Sequence, residues 1–168
     1  MNGVIRPHDQ LQAGSINARP VLLQSPAVVG SAEAQRVLSR DPAVQEAAAL
    51  FDSLDIALVG IGSMEPSRML SVSGNAFSRE DRAELQRSGA VGDICFRFFN
   101  PDGEPVKSPL MKRVIEIDLV KLRACKRVVG VAGGAQKVQA ILGALRGGLI
   151  DVLITDQRTA TTLSEAQR

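Results

Sequence analysis

Residues 127–142 read RVVGVAGGAQKVQAIL and predict a strand, a glycine turn and a helix in immediate succession. The first six residues are mostly β-branched and apolar, which is typical of a buried parallel strand. Gly133 and Gly134 then allow a sharp turn. The apolar residues that follow recur on one helical face, at Val138, Ile141, Leu142 and Leu145.

Similar strand and helix signals alternate along the rest of the chain. Short apolar or β-rich runs predict further strands at Pro20–Leu23, 54–63, 93–99, Val114–Ile117 and Asp151–Ile154. Capping residues predict helix starts at Ser31, Asp41, Ser78 with Asp81, Asp118 and Thr155. Gly89 predicts a helix end, and residues 100–103 predict a turn. We therefore expect a three-layer α/β fold, with a mostly parallel sheet flanked by helices.

Length and charge exclude several classes of protein. The chain has 168 residues and a net charge of +2, with acids and bases interspersed. That pattern argues against a broad electrostatic footprint for DNA or RNA. No apolar run approaches the roughly 18 residues of a membrane span, and residues 1–19 lack the apolar centre of a signal peptide. We expect a cytoplasmic protein without direct DNA contact or membrane contact.

The scarcity of cysteine and histidine excludes other classes. Two cysteines, Cys95 and Cys125, are too few for a disulfide framework or a zinc site, and His8 is the only histidine. We therefore expect no metal, no cofactor and no catalytic triad.

The turn after residues 127–132 is the first candidate binding site. Gly133 and Gly134 let backbone N–H groups approach a ligand, and the following helix start adds partial positive charge. Lys137 lies in the first helical turn, where a cation is unfavourable with the helix dipole, so a phosphate or sugar contact would explain it. The alternative is a tight connection with a solvated lysine.

Three more residues lie at the ends of other predicted strands. Ligands bind at the carboxyl ends of strands in parallel sheets, which brings Ser63, Asp93 and Asp156 into consideration. Ser63 is a candidate hydroxyl donor, and Asp93 a candidate acceptor for vicinal sugar hydroxyls. Each has a structural alternative, because glycines beside Ser63 make turns and Asp93 can cap a loop. For Asp156, complementing a helix dipole explains the residue without a ligand.

An ordered set of segments resembles a known family. The segments are Gly60-Ile61-Gly62-Ser63, residues 89–95 (GAVGDIC) with Arg97-Phe98-Phe99, Ala132-Gly133-Gly134 with Lys137, and Leu153-Ile154-Thr155-Asp156 with Thr159. Together they resemble the C-terminal effector domain of the SorC family of sugar-binding transcriptional regulators, from about Pro20 to the end of the chain.

The resemblance implies a fold similar to that of ribose-phosphate isomerase, glucosamine-phosphate deaminase and CoA-transferase domains. It also implies a phosphorylated sugar or similar metabolite as effector, a homo-oligomer, and an effect of the ligand on operator affinity. Asp93 and Lys137 match effector contacts of the family, and Ser63, Asp156, Gly133 and Gly134 match its pocket loops.

The sequence departs from the family pattern in two places. The family's helix-turn-helix and an early glycine-rich phosphate loop have no counterpart in residues 1–19, so we expect a truncated member, a fragment or one half of a split gene. Residues 1–18 would be a loose lead-in, and residues 19–168 a partial sugar-binding effector domain. Phe96 stands where the family commonly has glycine, which predicts a narrower pocket beside Asp93.

Two alternative functions remain open at this point. One is an isomerase or deaminase on the same fold, with Asp93 as the base and Lys137 holding charge. The other is a dimerisation module that no longer binds effector. We expect a non-catalytic ligand-sensing domain.

Overall fold

Two small sheets carry the fold in the computed structural model of the chain, which describes residues 19–64 and 78–166. The first sheet is parallel, with the strand order β1-β5-β6, and these strands are Ile56–Gly60, Arg127–Val131 and Val152–Ile154. The second is antiparallel, with the order β2-β3-β4, and its strands are Gly62–Ser63, Gly92–Ile94 and Arg97–Phe99. The expected mixed α/β fold with a parallel sheet flanked by helices is confirmed.

Six α-helices are present among the described residues. They are α1 Ala32–Leu38, α2 Pro42–Ala49, α3 Arg79–Arg87, α4 Leu119–Ala124, α5 Val138–Arg146 and α6 Gln157–Glu165. Three short 3₁₀ helices span Leu50–Ser53, Pro109–Arg113 and Ala135–Lys137. No helix in residues 19–64 or 78–166 has the length and apolarity needed to cross a membrane.

Side-chain caps begin most of these helices where the sequence predicts them. Ser31 and Asp41 accept bonds from the first turns of α1 and α2, and Asp118 caps α4. Ser78 and Asp81 form a reciprocal capping box at the start of α3. These predictions are confirmed because a cap depends on local sequence alone.

Three local predictions are wrong. Residues 20–23 form no strand, and of Val114–Ile117 only Val114 pairs, through an isolated bridge with Val28. Both segments have strand-like composition, but a strand also needs a neighbouring ladder, which composition does not report. The helix α6 is capped by Asp156 and not by Thr155. The lead-in predicted for residues 1–18 lies outside the described residues.

Helix α5 joins the two sheets into one core. It contacts β2, β3 and α6, and it buries Ala140, Ile141, Leu142 and Ala144. The same core includes Val59 and Val128 of the parallel sheet and Phe99 of the antiparallel sheet. The helix therefore fixes the antiparallel hairpin against the carboxyl end of the parallel strands.

The turn at residues 100–103 packs against the end of α5 at backbone distance. Gly103 has a φ of +75°, and a Cβ there would overlap the backbone of Gly143 and Gly147. Gly89, at the end of α3, has a similar φ of +79°, but a Cβ there would meet nothing within 4 Å. Gly89 is therefore required only by its backbone conformation. Gly103 is required both by its conformation and by the lack of space for a side chain.

We predict that Gly103→Ala destabilises the chain much more than Gly89→Ala. The Gly89 substitution introduces only a left-handed alanine, which costs about 1 kcal/mol. The Gly103 substitution adds overpacking against α5, for a total of about 3 kcal/mol. Urea unfolding followed by far-UV circular dichroism measures both. Equal losses of stability would show that the turn does not pack closely on α5.

Candidate functional site

The strand register brings four predicted segments to one edge of the molecule. Gly62 lies opposite Asp93, and Ser63 lies opposite Gly92, in the β2-β3 pair. Strand β1 ends beside β5, so residues 60–63 and the Gly133-Gly134 turn leave the parallel sheet next to each other. Strand β2 also contacts the 3₁₀ turn 135–137. The candidate residues therefore lie at the carboxyl end of the parallel strands, where ligands usually bind in this kind of sheet.

The Asp93 carboxylate lies over the backbone of Gly62. A Cβ at Gly62 would overlap the Asp93 oxygen, so only glycine leaves room for this acid. The Phe96 N–H donates to Asp93 Oδ2 at 3.0 Å. Burial raises the pKa of Asp93 to about 6, although the Phe96 hydrogen bond and the positive charge of Lys137 act in the opposite direction. Asp93 is thus a partly buried acid held ready to accept hydrogen bonds.

The hairpin turn beside Asp93 is conformationally strained. Cys95 and Phe96 join β3 to β4, and both have positive φ values, +52° and +55°. Asn-Gly is the usual sequence of such two-residue turns, because side chains resist this conformation. A glycine at position 96 would adopt this conformation without strain, whereas Phe96 does not. The Phe96 ring packs against a buried apolar cluster that includes Val28 and Leu85. The hydrogen bond from Phe96 to Asp93 is made by its backbone N–H.

Lys137 lies where the 3₁₀ turn passes into α5. It is the residue immediately before Val138, and its side chain is only partly exposed. Its positive charge acts on the Asp93 carboxylate, and strand β2, which pairs with the strand of Asp93, contacts its 3₁₀ turn. Gly92 allows α5 to lie close to strand β3, because a Cβ at position 92 would overlap Ala140 of α5.

The Gly133-Gly134 turn is held by the start of α6. Asp156 Oδ2 accepts from the Gly134 N–H at 3.0 Å, and Thr159 Oγ1 accepts from the same N–H at 2.8 Å. Asp156 also accepts from the Thr159 N–H at 2.9 Å and the Thr159 hydroxyl at 2.7 Å. These bonds, the Thr159 hydroxyl first, lower the pKa of Asp156. The Gly134 N–H is therefore occupied internally, and Asp156 has the contacts of a positioning residue.

Ser63 borders a cleft of about 470 Å³ that has both polar and apolar lining residues. Its other polar lining residues are Arg82, Gln86, Gln136 and Gln139. Glutamine amides both donate and accept hydrogen bonds, which suits a hydroxyl-rich ligand. The sequence analysis missed these residues because they come from α3, from the 3₁₀ turn 135–137 and from α5, which only the tertiary structure brings together.

The six predicted residues thus gather in one region with different roles. Asp93, Lys137 and Ser63 present polar groups, Gly133 and Gly134 form the turn, and Asp156 supports it. Thr159 was not among the six, although it is buried and completes the support of Gly134. Its three-residue spacing from a capping aspartate is the signal that points to it.

Two neighbouring residues contribute structure instead of chemistry. Burial, with the negative charges of Glu116 and Asp93, raises the pKa of the Cys95 thiol to about 12, which keeps it in the unreactive protonated form. Arg97 donates to the backbone carbonyl groups of Ile117, Met111 and Glu116, which pins the hairpin to the following segment. Across residues 19–64 and 78–166 no cluster of three metal-binding side chains is found.

Comparison with known sequences identifies the family of this chain. Residues 10–164 match the family model described as "Putative sugar-binding domain". The chain is 36% identical over 154 residues to the deoxyribonucleoside regulator of Bacillus subtilis, covering 92% of this chain and 49% of that protein. It is 32% identical over 152 residues to the sorbitol operon regulator of Klebsiella pneumoniae, covering 90% and 48%. The chain therefore spans about half the length of the curated relatives it matches.

Solved structures agree with these sequence matches. The full-length sorbitol operon regulator SorC from Klebsiella pneumoniae superposes with a TM-score of 0.80 at 30% identity, covering 90% of this chain and 49% of that one. The "putative sugar-binding domain" of a transcriptional repressor from Vibrio fischeri superposes with a TM-score of 0.84 at 30% identity, covering 94% and 62%. The chain belongs to the family of sugar-binding domains found in SorC-type transcriptional regulators.

Proposed function

We propose that the chain is a ligand-sensing domain that binds a phosphorylated sugar or a related carbohydrate metabolite. The observation that carries the proposal is the convergence of a partly buried Asp93 and Lys137 at the carboxyl end of the parallel sheet. Membership of a sugar-binding-domain family supports the same conclusion.

The two charges suit the two chemical parts of such a ligand. An ionised Asp93 accepts hydrogen bonds from neighbouring sugar hydroxyls, and Ser63 adds a hydroxyl that donates or accepts. Lys137 supplies a positive charge for a phosphate group beside the start of α5. Gly133 and Gly134 shape the floor of the site, and Asp156 acts on the ligand through its bonds to Gly134.

The regulatory role is proposed from the relatives. The proteins named above are transcriptional regulators and not enzymes, which agrees with the expectation of a non-catalytic chain. We propose that effector binding at this site controls transcription through a homo-oligomer, while DNA contact is made outside this chain. No observation on the site favours the isomerase or deaminase alternative.

We predict that Asp93→Asn and Lys137→Met each weaken binding of a sugar phosphate about 10- to 100-fold. Each removes a hydrogen bond to a charged group, worth about 1.5–3 kcal/mol. A dye-reported thermal melt with a panel of pentose and hexose phosphates selects the ligand, and calorimetry then gives the affinity. Lys126→Met is the matched control, because Lys126 pairs with Asp55 at the opposite end of the parallel strands. Unchanged affinity in both site variants would refute the assignment.

We also predict that affinity depends on the ionisation of Asp93. Its pKa of about 6 means that the carboxylate, the better acceptor, forms as the pH rises through 6. Affinity should therefore increase between pH 5 and pH 7.5 more steeply for the wild type than for Asp93→Asn. The ligand phosphate titrates equally in both experiments. The difference between the pH profiles of the wild type and Asp93→Asn therefore reports the ionisation of Asp93. Parallel pH profiles would mean that Asp93 does not contact the ligand.

A further inference from the structure

A second cavity lies apart from the candidate effector site. It has a volume of about 440 Å³ and lies between helices α1, α2 and α4, the 3₁₀ helix Leu50–Ser53 and residues 114–118. Among the described residues, none that lines this cavity also lines the cleft beside Ser63. Small-molecule sites usually have volumes of about 300–1,000 Å³, so the space is large enough for a ligand. It is called here the Glu116 cavity.

Part of the wall of the Glu116 cavity is apolar. Val44, Ala48 and Phe51 line it from α2 and the following 3₁₀ helix, at spacings of four and three residues that place them on one helical face. Such a stripe normally packs into a core, but only Val44 is buried, whereas Ala48 and Phe51 are half-buried. Ile115 and Ile117 also line the cavity. Apolar surface is therefore accessible to the hydrocarbon part of a ligand.

Five charged side chains line the Glu116 cavity, and four of them have partners within the protein. Lys121 Nζ lies 2.7 Å from Asp52 Oδ1. Arg97 donates to the backbone carbonyl groups of three residues, and Asp118 accepts from the Lys121 N–H at 2.8 Å as the cap of α4. The fifth is Glu116. Within residues 19–64 and 78–166, its carboxylate has no hydrogen-bond donor and no ion-pair partner.

The electrostatics of the Glu116 cavity favour a positive ligand. Three acids and two bases line it, which leaves one net negative charge. Burial raises the pKa of Glu116, and the positive charge of Arg97 acts in the opposite direction. Asp118 acts on Arg97 more strongly than Glu116 does, so Arg97 is already offset by another acid. A half-buried carboxylate without a counter-ion is stabilised by any cation that a ligand brings.

The aromatic ring in the wall narrows the class of ligand. A cation beside the face of an aromatic ring is attracted by its π electrons, and Phe51 lines the same cavity as Glu116. A carboxylate, an aromatic ring and apolar walls together suit an ammonium group on a short hydrocarbon body. We propose that the Glu116 cavity binds a small organic ammonium compound, with Glu116 as its counter-ion and the Val44, Ala48 and Phe51 stripe around its hydrocarbon part.

The test compares three probes of similar size on the full chain: n-butylammonium, n-butanol and butyrate. Backbone amide chemical shifts, measured by NMR, report where each probe binds and at what concentration. We expect n-butylammonium to shift the signals of residues 44–51 and 114–118, with a dissociation constant in the millimolar range that is usual for ligands of so few atoms. n-Butanol should bind about tenfold more weakly, because it lacks a charge-assisted hydrogen bond to Glu116. Butyrate should leave these signals unchanged.

Two variants separate the charge of the Glu116 cavity from its space. Glu116→Gln keeps the size of the side chain but removes its charge, so the preference for n-butylammonium over n-butanol should disappear. Glu165→Gln is the matched control and should keep the preference, because Glu165 is exposed at the end of α6 and does not line the cavity. Ala48→Leu fills the cavity and should weaken both probes, whatever the fate of Glu116→Gln.

Three results would overturn the proposal. They are the absence of shifts at these residues with n-butylammonium on a folded chain, equal affinity of the wild type for the ammonium and the alcohol, and a preference that Glu116→Gln retains. Tighter binding of butyrate would identify Arg97 as the recognition group and would also contradict the proposal. All these mixtures lack sugar phosphate, so their outcome is independent of the proposed effector function.

Discussion

The space above the Gly62 backbone is the constraint on which the site depends. The Asp93 carboxylate occupies it, and a side chain at position 62 would displace the acid. One strand further along, Gly92 leaves room for Ala140, which lets α5 approach the hairpin closely. Because both positions are glycine, the hairpin, the end of β1 and the start of α5 meet at backbone distance. The positive charge of Lys137 acts on Asp93 as a consequence of that packing.

Several features that lower the stability of the fold lie together at the candidate site. Burial disfavours the charged form of Asp93, and the Cys95-Phe96 turn holds two side chains in the left-handed region. The Phe96 N–H and Lys137 offset part of the cost of burying the acid. Perturbed acids and strained turns are features that proteins tend to retain at binding sites. The core around α5 supplies the stability that makes these terms tolerable.

The sequence predicted that the candidate site residues would lie at one edge of the parallel sheet. The strand-glycine-helix pattern of residues 127–142 is present in the structure as β5, the Gly133-Gly134 turn and α5. Glycines after predicted strands pointed to the edge of the sheet at which the structure brings the candidate residues together. The internal bonding of Asp156 was not predictable, because its partner Gly134 lies 22 residues away in sequence. Nor was the cleft beside Ser63, whose glutamines come from α3, the 3₁₀ turn 135–137 and α5.

The sequence by itself determined the local features: the caps of α1 to α4, the glycine turns and the alternation of strands with helices. These depend on backbone preferences and hydrogen bonds within a few residues, so they can be read from composition and spacing. Only the tertiary structure decided which apolar segments pair with a neighbouring strand, why residues 20–23 and 114–117 do not form strands, and which face of the parallel sheet is exposed. Those outcomes depend on contacts between segments far apart in the chain, whose geometry local preferences do not specify.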